Sequence, residues 1–92
     1  MGRTVSRLEI RGLVQGVGCR CAMVEQARRL GLCGWVRNRR DGSVETMVAG
    51  PTDAVEQMVV WARQGPRSAV VSAVDVFADV GTIDAFEQRP TV

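Results

Sequence analysis

The sequence predicts an α+β domain in which two helices cover one face of an antiparallel sheet, in the order β-α-β-β-α-β with room for a short fifth strand. Three observations carry that expectation. Apolar residues recur at every second position in some segments and every third or fourth in others, and the two periods alternate along the chain. Glycine, proline and one Asp-Gly pair mark the joints between segments. At 92 residues the chain has the length of one domain, residues 1–92. A domain this small buries only about 60–65% of its unfolded surface, so its core must be compact and efficiently patterned.

The first strand covers Val5 to Leu13, with Leu8 and Ile10 on one side and Arg7, Glu9 and Arg11 on the other. A glycine-punctuated loop, Gly12-Leu13-Val14-Gln15-Gly16-Val17-Gly18, follows. From about Arg20 the period becomes helical: Met23, Ala27 and Leu30 share a face, and Glu25, Arg28 and Arg29 point mostly outward. Gly31 is placed to close that helix in a left-handed cap. Cys33 to Arg39 is the second strand, Asp41-Gly42 a two-residue hairpin signal, and Val44 to Ala49 the third strand, antiparallel to the second. Gly50-Pro51-Thr52-Asp53 then opens a helix, with Asp53 and Glu56 spaced as in a capping box. Val55, Met58, Val59 and Ala62 form its apolar stripe, and Gly65-Pro66 stops it. Val70 to Phe77 is a valine-rich fourth strand, Asp79 to Asp84 a loop, and Ala85 to Arg89 the short closing strand. Two helices packed on one face of such a sheet satisfy the layering rules. The order is the ferredoxin-like pattern.

Composition narrows the chemistry. The net charge of +2 is too small to imply a nucleic-acid partner. All 12 basic residues are arginine, and histidine and tyrosine are absent. A histidine general base is therefore excluded, as are a lysine Schiff base and a Walker-type phosphate lysine. Cys19, Cys21 and Cys33 have no zinc-site spacing and read as free structural thiols. No apolar run approaches the roughly 18 residues of a membrane span. Met1 to Arg7 has no apolar stretch of the secretory kind, so a cytoplasmic address is expected.

The loop before the first helix is the chemically informative segment. Gly12, Gly16 and Gly18 can take backbone angles closed to other residues, letting successive N–H groups converge on an anion. The helix that follows adds its positive N-terminal end. Arg20, in the first helical turn, can fork two oxygens of a phosphoryl group. Spacing alone leaves open the plainer reading of a glycine-rich turn beside a surface arginine.

Two longer motifs decide between these readings. Gly12-Leu13-Val14-Gln15-Gly16-Val17-Gly18-Cys19-Arg20 resembles the first signature of the acylphosphatases. Gly31-Leu32-Cys33-Gly34-Trp35-Val36-Arg37-Asn38, running on to Asp41-Gly42-Ser43-Val44-Glu45, resembles the second. Weaker similarity continues through Gly65-Pro66 and Ala69 to Phe86. The resemblance implies a ferredoxin-like fold and hydrolysis of an acyl phosphate without metal or organic cofactor. It implies that Arg20 binds phosphate and Asn38 orients the attacking water. Backbone amides of Gln15, Gly16, Val17, Gly18, Cys19 and Arg20 would form the cradle. Such an enzyme needs a small-molecule acyl phosphate, no nucleic acid and no membrane, and is expected to be a monomer.

Two departures stand out. The family usually places phenylalanine where this chain has Cys19, and the smaller side chain is expected to loosen packing beneath the loop. Cys21 near the helix start is the second, since a helix N-terminus can activate a thiol. A cysteine-dependent phosphatase is excluded, because the position six before Arg20 is Val14. A non-catalytic acyl- or carbamoyl-phosphate-binding module is the alternative to an enzyme; the joint presence of Arg20 and Asn38 favours the enzyme. RNA recognition would need aromatic stacking residues on the central strands, and four aromatics, no tyrosine and no matching motif speak against it. Trp35 and Trp61 are assigned to packing; Arg37, Arg39 and Arg40 to a solvated face; Asp41 and Glu45 to turn and strand surface.

Overall fold

A computed structural model describes residues 2–81 and 84–92. Five strands and two helices follow one another as β1 (Arg3–Leu13), α1 (Cys19–Arg29), β2 (Cys33–Asn38), β3 (Val44–Pro51), α2 (Thr52–Gln64), β4 (Val70–Ala78) and β5 (Phe86–Gln88). The sheet order is β4-β1-β3-β2-β5. β1, β2, β3 and β4 pair antiparallel, as the sequence predicts. β5 runs parallel to β2, Gly34 opposite Phe86, so the sheet is mixed and not wholly antiparallel. Joined to β2 through β3, α2 and β4, β5 covers the outer edge of β2 and delivers Phe86 to the core. The sequence-predicted loop over Asp79–Asp84 includes Thr82 and Ile83, which lie outside the described residues.

The period-2 and period-3.6 apolar residues meet in one layer between sheet and helices. Leu8, Ile10, Val36, Val44 and Val48 from the strands contact Met23, Ala27, Val55, Met58 and Ala62 from the helices, all buried. Each large apolar side chain buried this way contributes about 1.5–3 kcal/mol.

α1 ends as predicted. Gly31 has φ 71°, its N–H bonds the Arg28 carbonyl at 3.1 Å, and the Leu32 N–H bonds the Ala27 carbonyl at 2.9 Å. This paired pattern is a Schellman motif. α2 departs from expectation. Its N-cap is Pro51, with no side-chain cap, and Asp53 lies inside the first turn with its carboxylate on the Ala54 N–H at 3.0 Å. The capping box does not form, because the helix starts two residues earlier than it would with Asp53 as its N-cap; the charge still favours the helix N-terminus. The hairpin differs too. The Arg39 N–H bonds the Ser43 carbonyl at 2.9 Å and the Gly42 N–H bonds the Arg39 carbonyl at 3.1 Å. These bonds enclose three loop residues, not two, with Gly42 at φ 93°.

β1 carries an irregularity that aims the loop after it. Its register with β4 slips between Arg11, opposite Ala73, and Gly12, opposite Val71. A Cβ on Gly12 would lie 2.1 Å from the Val70 carbonyl oxygen, so only glycine fits this bulge.

The helix-free face of the sheet is not simply solvated. Glu45 on β3 is only 3% exposed. It accepts from Arg37 at 2.7 Å, from Arg7 at 3.0 Å and from Arg39 at 3.5 Å. Glu9 pairs with Arg7 and Arg11. The Arg7 guanidinium lies 4.5 Å from the Phe77 ring centre, and those of Arg37 and Arg89 lie 4.6 and 5.1 Å from a Trp35 ring centre. Glu45 is therefore a buried residue and Arg37 and Arg39 are half-buried partners, against the surface assignment made from sequence. Arg40 and Asp41 are exposed, as expected.

Candidate active site

The bulge at Gly12 delivers the chain into residues 14–18, which join β1 to α1. Gly16 and Gly18 have φ of 74° and 77°, the left-handed region that glycine enters without penalty. Open space surrounds both Cβ positions, so backbone angle and not crowding calls for glycine here. Gly18 is the N-cap of α1; no side chain caps the helix and its first turn has no acidic residue. The N–H groups of Gln15 to Cys21 find no acceptor among the described residues. Left-handed residues in such a turn can bring successive N–H groups together, and an open helix N-terminus adds positive potential.

A small cleft lies beside this turn. It holds about 80 Å³ and is lined by Val14, Gly16, Gly18, Cys19, Arg20, Cys21 and Asn38. At roughly 30 Å³ per water, it admits a tetrahedral anion-sized group and little more. Larger hollows exist on the outer helix surfaces, one lined by Gln26, Asp53, Glu56, Gln57, Val60, Trp61 and Gln64. Only the small cleft brings the glycine turn, Arg20 and Asn38 together.

Arg20 is half-buried in the first turn of α1 and has no carboxylate within 4.0 Å among the described residues. Its positive charge is not cancelled locally. Asn38 ends β2, and its Oδ1 is buried without a hydrogen-bond partner among the described residues. Leaving such an atom unsatisfied costs about 1–3 kcal/mol.

The other sequence-predicted positions divide. Gly16, Gly18, Cys19 and Arg20 line the cleft. Gln15 and Val17 do not. The Gln15 side chain turns to the hairpin, where its Nε2 donates to the carbonyls of Arg39 at 2.6 Å and Ser43 at 2.7 Å. Val17 packs on the core, and its carbonyl accepts from Ser68 Oγ at 2.7 Å. Cys19 is 3% exposed and part of the core, where burial pushes its thiol pKa up. Cys21 is exposed at the cleft, and its Sγ accepts from Gln88 Nε2 at 3.5 Å. Sequence reasoning missed Ser68 altogether. Only the register of β4 against β1 brings residue 68 to residue 17, and no local pattern signals it.

Fold and cleft together describe a small α+β protein with a small hollow lined by loop glycines, Arg20 and Asn38. A family model described as Acylphosphatase matches residues 6–88. The acylphosphatase of Albidiferax ferrireducens is 52% identical over 89 residues, covering 97% of each chain. That of an Azoarcus species is 58% identical over 86 residues, covering 91% of this chain and 87% of the relative. The solved structure of an acylphosphatase from Coxiella burnetii superposes with a TM-score of 0.91 at 33% identity, covering 95% of this chain and 93% of that one. The chain belongs to the acylphosphatase family.

Proposed function

We propose that this chain hydrolyses acyl phosphates to a carboxylate and inorganic phosphate, with Arg20 and the amides of residues 15–20 holding the phosphoryl group and Asn38 orienting water. The observation that carries this reading is the meeting of Arg20, Gly16, Gly18 and Asn38 on one small cleft. The substrate is a mixed anhydride whose leaving group is a carboxylate. Being a weak base, with a pKa of roughly 4, it departs with little help from an acid. Phosphoryl transfer through a loose transition state spreads charge over the equatorial oxygens. Fixed amides and a guanidinium meet that charge without reorganising.

Asn38 Oδ1 accepts one hydrogen from water and points a lone pair of the water oxygen at phosphorus. A carboxamide is too weak a base to take the proton. As the new P–O bond forms and the bond to the acyl oxygen breaks, the water's other proton passes to a phosphate oxygen. The electron pair of the broken bond leaves on the carboxylate.

The reading extends to residues 1–92 acting as one monomeric acylphosphatase-like domain in the cytoplasm, without nucleic acid. In support, the net charge is only +2, and no helix among the described residues is long and apolar enough to cross a membrane. The test is phosphate release from a synthetic acyl phosphate in the presence of EDTA. The parent turns over, while Arg20→Ala and Asn38→Ala, each shown to be folded, lose on the order of a thousandfold in kcat/KM. An Asn38→Ala enzyme with near-parental turnover removes the water-orienting role, and inhibition by EDTA removes the metal-independent mechanism. Size-exclusion chromatography with light scattering checks the monomer.

A further inference from the structure

The cradle loop and Asn38 come from different parts of the chain, yet the reaction needs them in fixed register. Residues 14–18 hang between β1 and α1, while Asn38 sits at the end of β2 beside the hairpin. Among the described residues, two side chains hydrogen-bond across to or from this loop: Ser68, which reaches the Val17 carbonyl, and Gln15. Only Gln15 spans to the element that carries Asn38. Both its partners are carbonyl oxygens, so the amide nitrogen must face them, and its two hydrogens are used in full. The Arg39 carbonyl belongs to the residue next to Asn38. The Ser43 carbonyl also receives the Arg39 N–H, which closes the hairpin. One carboxamide thus ties the cradle to both strands of the hairpin at its neck.

Resting on the function proposed above, we infer that the Gln15 side chain is a positioning residue, a tether that sets the distance between the phosphoryl cradle and the Asn38 carboxamide. It does not face the cleft and touches no substrate. Its effect falls on the alignment of water with phosphorus, and less on anion affinity, because Arg20 and the loop amides remain without it. A displacement of about 1 Å between reacting groups can cost up to a hundredfold in rate.

The test uses the full chain with Gln15→Met, which keeps length and removes both bonds, and Gln15→Glu, which keeps shape. In Gln15→Met, kcat falls by about tenfold or more, while inhibition by inorganic phosphate changes by less than about threefold. In Gln15→Glu at neutral pH, a carboxylate faces two carbonyl oxygens and is repelled. Protonated, it donates one hydrogen bond and restores part of the tether. The ratio of its kcat to the parent's therefore climbs as pH is lowered toward about 5. A role in stability alone gives no such climb. An unchanged kcat in folded Gln15→Met, or a pH-independent ratio in Gln15→Glu, overturns the inference. If Gln15→Met does not fold, the Gln15→Glu ratio decides. The Asn38 side-chain amide signal in NMR gives a readout independent of turnover: it shifts or broadens in the variants if the tether exists and stays fixed if it does not. A parent without acyl phosphate hydrolysis overturns the proposed function, and the tether is then judged by that signal.

Discussion

Replacing Glu45 with alanine is expected to cost about 2–3 kcal/mol of folding stability. In the parent the carboxylate takes hydrogen bonds from Arg37 at 2.7 Å and Arg7 at 3.0 Å, with Arg39 at 3.5 Å. A hydrogen bond to a charged group is worth about 1.5–3 kcal/mol net. Two good bonds would then suggest up to about 6 kcal/mol, but the arginines hold that figure down. Their side chains are 27–36% exposed, so water solvates them once the carboxylate is gone. Arg7 and Arg39 also keep Glu9 as a partner. For a domain of this size, 2–3 kcal/mol corresponds to a fall in Tm of roughly 10–20 °C. Urea unfolding of parent, Glu45→Ala and Glu45→Gln measures it, with Glu45→Gln falling in between because one oxygen still accepts. Repeating the series in about 1 M NaCl separates burial from surface pairing, since exposed pairs are screened there. A loss under about 0.5 kcal/mol, or one that vanishes in high salt, refutes the assignment of Glu45 as a buried keystone.

Two further outcomes follow from groups near the hairpin and the cleft. The Asp41 carboxyl lies below the usual carboxylate range, first because the Ser43 hydroxyl donates to it at 2.6 Å and then because the Ser43 N–H donates at 2.9 Å. A depressed folded-state pKa contributes stability above the unfolded value that is lost as pH falls through the folded one. Ser43→Ala therefore raises the Asp41 pKa in an NMR titration and flattens the loss of stability on acidification; an unmoved pKa contradicts the account. Among the thiols, the exposed Cys21 reacts with iodoacetamide in the native protein before Cys19, whose burial disfavours the thiolate. Mass mapping of the labelled peptides checks this, and comparable labelling of Cys19 refutes its placement in the core.

Much of the framework is legible in the sequence because each element is locally consistent. Leu8 and Ile10 against Arg7 and Glu9 give the strand its period, and Gly31 supplies the one backbone angle the Schellman turn needs. What escapes is decided by distant residues. The burial of Glu45 requires three arginine stems from β1, β2 and the hairpin to close over it, and in the one-dimensional pattern it looks like any outward glutamate. The parallel pairing of β5 depends on an edge of β2 left free after β3 has taken the other. The same holds at the candidate site. The glycines and Arg20 are visible as a loop-to-helix pattern, and Asn38 enters through the family resemblance. The direction of the Gln15 side chain and the reach of Ser68 to Val17 exist only once the strands are in register.

That dependence sets an order of assembly. Leu13 pairs with Val70, and Ser68 grips the Val17 carbonyl, so the glycine turn near the start of the chain is braced by residues more than fifty positions later. A nascent polypeptide that has emerged only through α2 holds Arg20 and Asn38 but lacks the strand on which the turn rests. Closing so long a loop costs entropy that local contacts do not. Competence to grip an anion thus depends on β4 as well as on the loop itself.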